Sequence, residues 1–238
     1  MGKFKRNEFA IVFLLLSGVL LWFGLQQHNP FLSFLLLSAG GAFLGLSVAY
    51  LFTWPGLLAK TRKGTLLPSS YVLFWPYHLL NYGSLLYFRL LGVAPFQEIV
   101  PGLFLGGRLL PWESQKIKPA GITAVLDLTC ELNEVDFLRQ NVTYCCIPLL
   151  DGSAPPKAAL EAGVRFIQEK LRTGPVYVHC AMGHGRSATF VAAYLLATRQ
   201  ASTVSEAIER MRSRRPGVRL RAEQIKSLEN FVHERRDL

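Results

Sequence analysis

Two uncharged apolar runs near the N-terminus constrain this chain more than any other feature: Phe9 to Leu25, 17 residues, and Phe31 to Trp54, 24 residues. As helices they would reach about 25 and 36 Å, against a bilayer hydrocarbon core of roughly 30 Å. Gln26-Gln27-His28-Asn29-Pro30 between them reads as a tight polar turn, so a membrane-spanning helical hairpin is expected. Gly40, Gly41 and Gly45 would let its helices approach closely. The competing reading is a cleaved signal peptide led by Lys3, Lys5 and Arg6. No small-residue cleavage site follows, and a second apolar run comes at once. Myristoylation at Met1-Gly2 is disfavoured because Arg6 stands where Ser or Thr is needed. Lys3, Lys5 and Arg6 precede the first run and Lys60, Arg62 and Lys63 follow the second, while the turn carries no charge. That asymmetry places both ends, and the remainder of the chain, on the cytoplasmic side.

Three parts follow from this reading: a hairpin over 1–65, a segment over 66–96 and a domain over 97–238. The middle segment is apolar and aromatic but broken by Pro68, Pro76, Asn81 and Arg89. It suits a membrane-interface or re-entrant stretch, or a strap packed on the domain. In the last part strand-like and helix-like runs alternate. A strand pair is expected from Glu98 to Leu105 across Pro101-Gly102, then a helix near Trp112–Lys118 and a strand over Ile122–Leu128. A helix near Asn133–Gln140, a strand over Val142–Pro148 and a helix over Pro156–Leu171 come next. A strand at Val176–Val178 and three further helices close the pattern, the second opening on the capping sequence Thr203-Val204-Ser205-Glu206. Such alternation specifies an α/β fold, a mostly parallel central sheet flanked by helices.

The chemistry is concentrated in His179-Cys180-Ala181-Met182-Gly183-His184-Gly185-Arg186-Ser187, between a strand and a helix. Five residues separate Cys180 from Arg186, enough for the backbone to curl around a tetrahedral oxyanion with its N–H groups inward. Gly183 and Gly185 supply backbone freedom, and Arg186 offers a planar fork where Lys would offer a point charge. A thiol there feels both the helix N-terminus and the Arg, so its pKa is expected to fall. Ser187 can donate a hydrogen bond to the sulfur. A buried Cys in an ordinary Gly-rich turn would need neither the Arg nor two glycines.

This stretch resembles the signature loop of the cysteine-dependent phosphatases, and most closely that of the dual-specificity branch with its lipid-phosphatase relatives. The resemblance implies that Cys180 is the nucleophile and that residues 181–186 bind phosphate, with His179 supporting the loop. It also implies a general acid on an upstream loop, for which Asp151 in Leu150-Asp151-Gly152-Ser153 is better placed than Asp127, inside a strand pattern, or Asp136, on a helix. Asp151 is otherwise simple turn chemistry. The implied reaction is phosphomonoester hydrolysis through a phosphocysteine, with no metal and no cofactor; the five His show no ligand spacing and there is no Cys-x-x-Cys.

Substrate class stays open between phosphorylated protein, the leading reading, and an anionic phospholipid. His184 sits where some phosphoinositide phosphatases carry Lys and could be charged facing phosphate. Ala181 sits where lipid phosphatases of this kind typically carry Lys. A catalytically silent phosphate-binding module and a rhodanese-type sulfur transferase are alternatives that the intact Cys180, Arg186, Ser187 and Asp151 disfavour. Residues 1–96 carry 7 Lys/Arg and 1 acid, against 19 and 15 in the rest. The domain's positive charge gathers in Arg199–Arg221, either an anion-recruiting patch or a solvated face. No nucleic-acid partner is expected, since no basic fold motif or aromatic platform accompanies it. Cys130, Cys145, Cys146 and Cys180 are an even number, but adjacent Cys145 and Cys146 on a strand would point to opposite faces and suit buried thiols.

Overall fold

The structure, a computed structural model, describes residues 8–236. Met1, Gly2, Lys3, Lys5 and Arg6, on which part of the processing and charge reading rests, lie outside the described residues. The apolar runs form α1 (Glu8–Gln26) and α2 (Pro30–Leu51), 19 and 22 residues long, folded on each other as a hairpin and apolar enough to cross a bilayer. Asn29 closes the turn, its side chain accepting the N–H groups of Phe31 and Leu32 at 3.0 and 3.1 Å. Hydroxyl-to-carbonyl bonds stitch the helices: Ser17 to Gly40 at 2.7 Å, Ser33 to Gly24 at 2.8 Å and Ser47 to Ala10 at 2.8 Å. Of the three glycines expected at this contact, only Gly40 meets the first helix, against Leu21. Gly41 faces open space and Gly45 faces Phe74.

The middle segment is helical: α3 (Pro68–Leu73) and α4 (Trp75–Leu90). Pro68 and Pro76 sit in first turns, where a missing N–H costs nothing, so they start helices instead of breaking them. Helix α4 buries Tyr77, His78 and Leu85 and exposes Leu79, Leu80, Leu86 and Leu90. Between α2 and α3 the chain makes a 3₁₀ turn (Pro55–Leu58) and a narrow strap in which Lys60 bridges Leu66.

The strands are β1 (Phe96–Val100), β2 (Leu103–Gly107), β3 (Ala124–Thr129), β4 (Thr143–Leu149) and β5 (Val176–Cys180). They form one sheet in the order β1-β2-β5-β3-β4, parallel except for the β1–β2 hairpin. Alternate residues serve opposite faces, as period two requires. Leu105, Leu126 and Val178 join the main core with α6 (Lys157–Lys170) and α7 (Arg186–Ala197), while Phe104, Val125 and Tyr177 join a second core with Ile117 and Leu138. The second face carries a 3₁₀ turn (Pro111–Ile117) and the short α5 (Asp136–Asn141). The expected helix from Asn133 begins late because residues 130–135 form a buried turn. Helices α8 (Val204–Arg214) and α9 (Ala222–Arg236) complete the domain. Thr203 caps α8 by accepting the Glu206 N–H at 3.1 Å, and Glu206 reaches back to the N–H of Ser202 at 2.7 Å. Central strand β5 ends where α7 begins, at the carboxyl edge of the parallel strands, the usual place for a ligand in such a sheet.

Gly163 on α6 lies so close to α7 that a Cβ would fall 2.3 Å from the Phe190 ring. Gly163→Ala is therefore expected to destabilise the full-length protein by about 1–3 kcal/mol through overpacking, despite the ~1 kcal/mol that Ala gains in helix propensity. Chemical denaturation in detergent would measure this; equal or greater stability would contradict the contact.

Candidate active site

The loop from Cys180 to Arg186 joins the last residue of β5 to the first of α7. Every carbonyl along it is claimed from outside. The Arg108 N–H donates to Cys180 O at 2.7 Å and Ala181 O at 3.0 Å. The Arg215 guanidinium donates to Met182 O at 2.8 Å and Gly183 O at 3.0 Å. Backbone N–H groups of Arg219 and Thr189 take His184 O and Gly185 O at 3.0 and 2.9 Å. With its carbonyls held outward, the loop turns its amides to the concave side, an anion nest at the start of α7. Gly183 has φ +76°, and a Cβ there would lie 2.3 Å from the Gly106 carbonyl carbon, so no other residue fits.

The Cys180 thiol is buried in this nest. Its Sγ lies 3.3 Å from Ser187 Oγ and accepts the Gly183 N–H at 3.3 Å. Burial alone would raise its pKa, but the Arg186 charge and hydrogen bonds from the Ser187 hydroxyl and N–H outweigh it, and the thiol titrates below its ordinary value. Arg186 is gripped bidentately by Glu131, Nη1 to Oε2 at 2.9 Å and Nη2 to Oε1 at 2.6 Å, and Nη1 also donates to Leu149 O at 2.8 Å. Burial works against both charges, yet each holds the other ionised: Glu131 is pulled down and Arg186 pushed up. The N–H groups left for an anion are Nε, unpartnered among the described residues, and the edge of Nη2 that faces Asp151 Oδ1 at 3.1 Å. Asp151, whose side chain is 58 % exposed, thus reaches the site from the loop after β4.

Behind the loop His179 places Nδ1 3.3 Å from Cys180 O and Nε2 2.6 Å from Glu134 Oε2. Desolvation favours the neutral ring, but Glu134 and Asp127 overcome it and raise the pKa. Asp127, considered above as an acid, is wholly buried. Desolvation pushes it up, yet Lys60 and His179 hold it below the usual carboxylate range. Asp127, Glu134 and His179 bring one donor atom each within 4.8 Å of one another, the only such trio among the described residues, and the Lys60 ammonium contacts Asp127 Oδ2 at 2.5 Å. Asp136 pairs with Arg139 at the surface.

Among the other loop residues, Ala181 is buried and Met182 half-buried. His184 stands edge-on to Phe88 with centroids 6.3 Å apart. Burial and the Arg215 and Arg219 charges lower its pKa. Glu131, Arg215 and Lys60 were not singled out from the sequence as site residues. A Glu in the Cys130-to-Glu134 turn after β3 was the available signal for the first. The Arg199–Arg221 stretch is not one solvated face: Arg215 is buried, Arg210 and Arg212 donate to carbonyls, and Arg221 stacks 4.5 Å over the Phe9 ring. All four cysteines are free, Cys145 and Cys146 only half-buried.

The sequence profile of the dual specificity phosphatase catalytic domain matches residues 103–234. The chain is 34 % identical over 124 residues to the dual specificity protein phosphatase Mpk3 of Drosophila melanogaster, covering 51 % of this chain and 30 % of that protein. It is 28 % identical over 190 residues to the phosphatidylglycerophosphate phosphatase PTPMT2 of Arabidopsis thaliana, covering 72 % and 77 %. The crystal structure of PTPMT1 in complex with PI(5)P superposes with a TM-score of 0.56 at 25 % identity, over 61 % of this chain and all of that one.

Because the Cys180 pKa is lowered, alkylation by iodoacetamide should rise through a midpoint below that of an ordinary thiol, about 8.5. Ser187→Ala removes a contribution that lowers it, so the midpoint should move up. The rate measured against pH, with Cys180→Ser as blank, checks both; an unshifted midpoint would contradict the role of the hydroxyl.

Proposed function

We infer, for a chain that belongs to the family of dual specificity phosphatase catalytic domains, a phosphomonoesterase that works through a phosphocysteine and is anchored by its α1–α2 hairpin. The observation that carries this reading is a thiol of lowered pKa inside a nest whose six carbonyls, Cys180 to Gly185, are all held outward. Cys180 Sγ attacks phosphorus in line, the P–O bond to the leaving group breaks, and Asp151 gives that oxygen its proton. Water then attacks phosphorus, Asp151 takes the water's proton, and the P–S bond breaks to return the thiolate, steadied by Ser187. Loop amides and Arg186 hold the equatorial oxygens in both steps, where charge develops.

The substrates proposed first are phosphorylated Tyr, Ser and Thr side chains of proteins. A second reading, a phospholipid headgroup, is favoured by one feature: a cavity of about 350 Å³ walled by Phe9, Tyr50 and Thr53 from the hairpin and by Asp151, Ser153 and Arg221 from the domain. It opens the general-acid loop towards the hairpin's end. Relatives named for phosphatidylglycerophosphate add support. The hairpin is proposed to span the membrane with the domain on the cytoplasmic side, supported by Lys60, Arg62 and Lys63 beyond α2 and by the uncharged turn.

Full-length protein in detergent should hydrolyse an aryl phosphate with chelator present. Cys180→Ser should abolish turnover, and Asp151→Asn should lower kcat by about 10²- to 10⁴-fold, most for poor leaving groups. Activity that survives Cys180→Ser would overturn the mechanism, and an unchanged Asp151→Asn would move the acid elsewhere. In anionic liposomes, phosphotyrosyl peptides tested beside phosphatidylglycerophosphate and phosphoinositides decide the substrate: the higher kcat/KM identifies the class, and a preference for lipid would displace the protein reading.

A further inference from the structure

The strap that leaves the hairpin does more than connect. Lys60 has a fully buried side chain, and its Nζ donates to Asp127 Oδ2 at 2.5 Å and to Thr129 Oγ1 at 2.6 Å. Thr129 in turn donates its N–H and hydroxyl to Asp127 Oδ1, both at 2.8 Å. This knot lies at the end of β3, where the 130–134 turn begins. The turn is tied to the strap twice more, since the Glu134 N–H donates to Gly64 O at 2.8 Å and the Leu66 N–H to Asn133 Oδ1 at 2.5 Å. From the following helix, His78 Nδ1 lies 3.0 Å from Glu131 O.

The two carboxylates of that turn hold the two ends of the phosphate loop. Glu134 holds His179, just before Cys180, and Glu131 holds Arg186, at the far end. A buried ion pair is often no more stable than apolar residues of the same volume, so Lys60–Asp127 is poorly explained by stability. A fixed ammonium with two acceptors does define one position for the end of β3.

We propose that Lys60 is a positioning residue for the phosphate loop: by pinning Asp127 and Thr129 it sets the turn whose Glu131 and Glu134 orient Arg186 and His179, and so couples the membrane hairpin to the reaction. This rests on the phosphatase reading above. Its consequence is that the catalytic unit extends back through the strap to Lys60, well before position 97.

The test compares full-length wild type, Lys60→Met and Lys60→Met/Asp127→Asn in detergent. Two quantities are measured: turnover of p-nitrophenyl phosphate, and the affinity for vanadate from its shift of the melting midpoint. The double variant removes the buried carboxylate that the single variant leaves unpaired, and so stays informative if the single one fails to fold. With folding retained, kcat should drop about ten- to a hundred-fold with KM little changed, and vanadate affinity should fall in parallel, as for a ligand that resembles the transition state. A folded double variant with wild-type kcat and vanadate affinity overturns the proposal. So does a double variant that no longer melts cooperatively, which would make Lys60 a folding residue only. If the wild type binds vanadate without turnover, the phosphatase reading fails while the vanadate ratio still judges Lys60. A wild type that does neither removes the inference with its premise.

Discussion

The buried pair of Arg186 and Glu131 is the contact on which the rest of the site depends. Neither side chain reaches solvent, and the desolvation of two charges is offset only because the geometry is bidentate and Leu149 O takes a further N–H. One guanidinium thereby fixes three separate places: the turn after β3, the end of β4 and the first turn of α7. Loss of either partner would strand a charge in the core at a cost of about 3–5 kcal/mol. The pair also decides which N–H groups of Arg186 remain for a ligand. Glu131 takes the Nη1/Nη2 edge of the guanidinium, which leaves Nε and the facing N–H of Nη2 as a side-on pair of donors for a ligand.

The hairpin is joined to this arrangement through packing as well as through Lys60. Ala10, Phe43, Leu46, Ala49 and Tyr50 share one buried cluster with Cys130 and Leu150. Those two residues are the chain neighbours of Glu131 and Asp151. A movement of the hairpin base therefore bears on the chain beside the two acidic groups nearest Arg186. An anchor joined by a loose linker would have no such leverage.

Much of the fold was legible because its signals are local. Apolar alternation located the five strands, the Thr203 cap located α8, and the spacing from Cys180 to Arg186 located the loop. The stretch from 66 to 93 reads as broken by its prolines, yet Pro68 and Pro76 occupy helix first turns, a distinction that composition does not make. The supports of the site were hidden for a different reason. Glu131 meets Arg186 across 55 positions, Lys60 meets Asp127 across 67, and Arg215 meets Gly183 across 32. Each looks in sequence like an ordinary surface charge, and only the closed sheet brings it inside. His184 shows the converse: its place in the loop invites a charge, while burial and the cations around it work against one.

The 3.1 Å contact between Arg186 and Asp151 means that the resting site already holds an anion of its own. On the proposed chemistry, an incoming group that uses the Nη2 edge must displace a carboxylate from it, while Nε stands open. A phosphate dianion brings more charge and more acceptors to that exchange than a monoanion does. The carboxylate that it pushes aside must take up a proton to become the donor to the leaving oxygen. Admission and protonation are then two uses of one side chain.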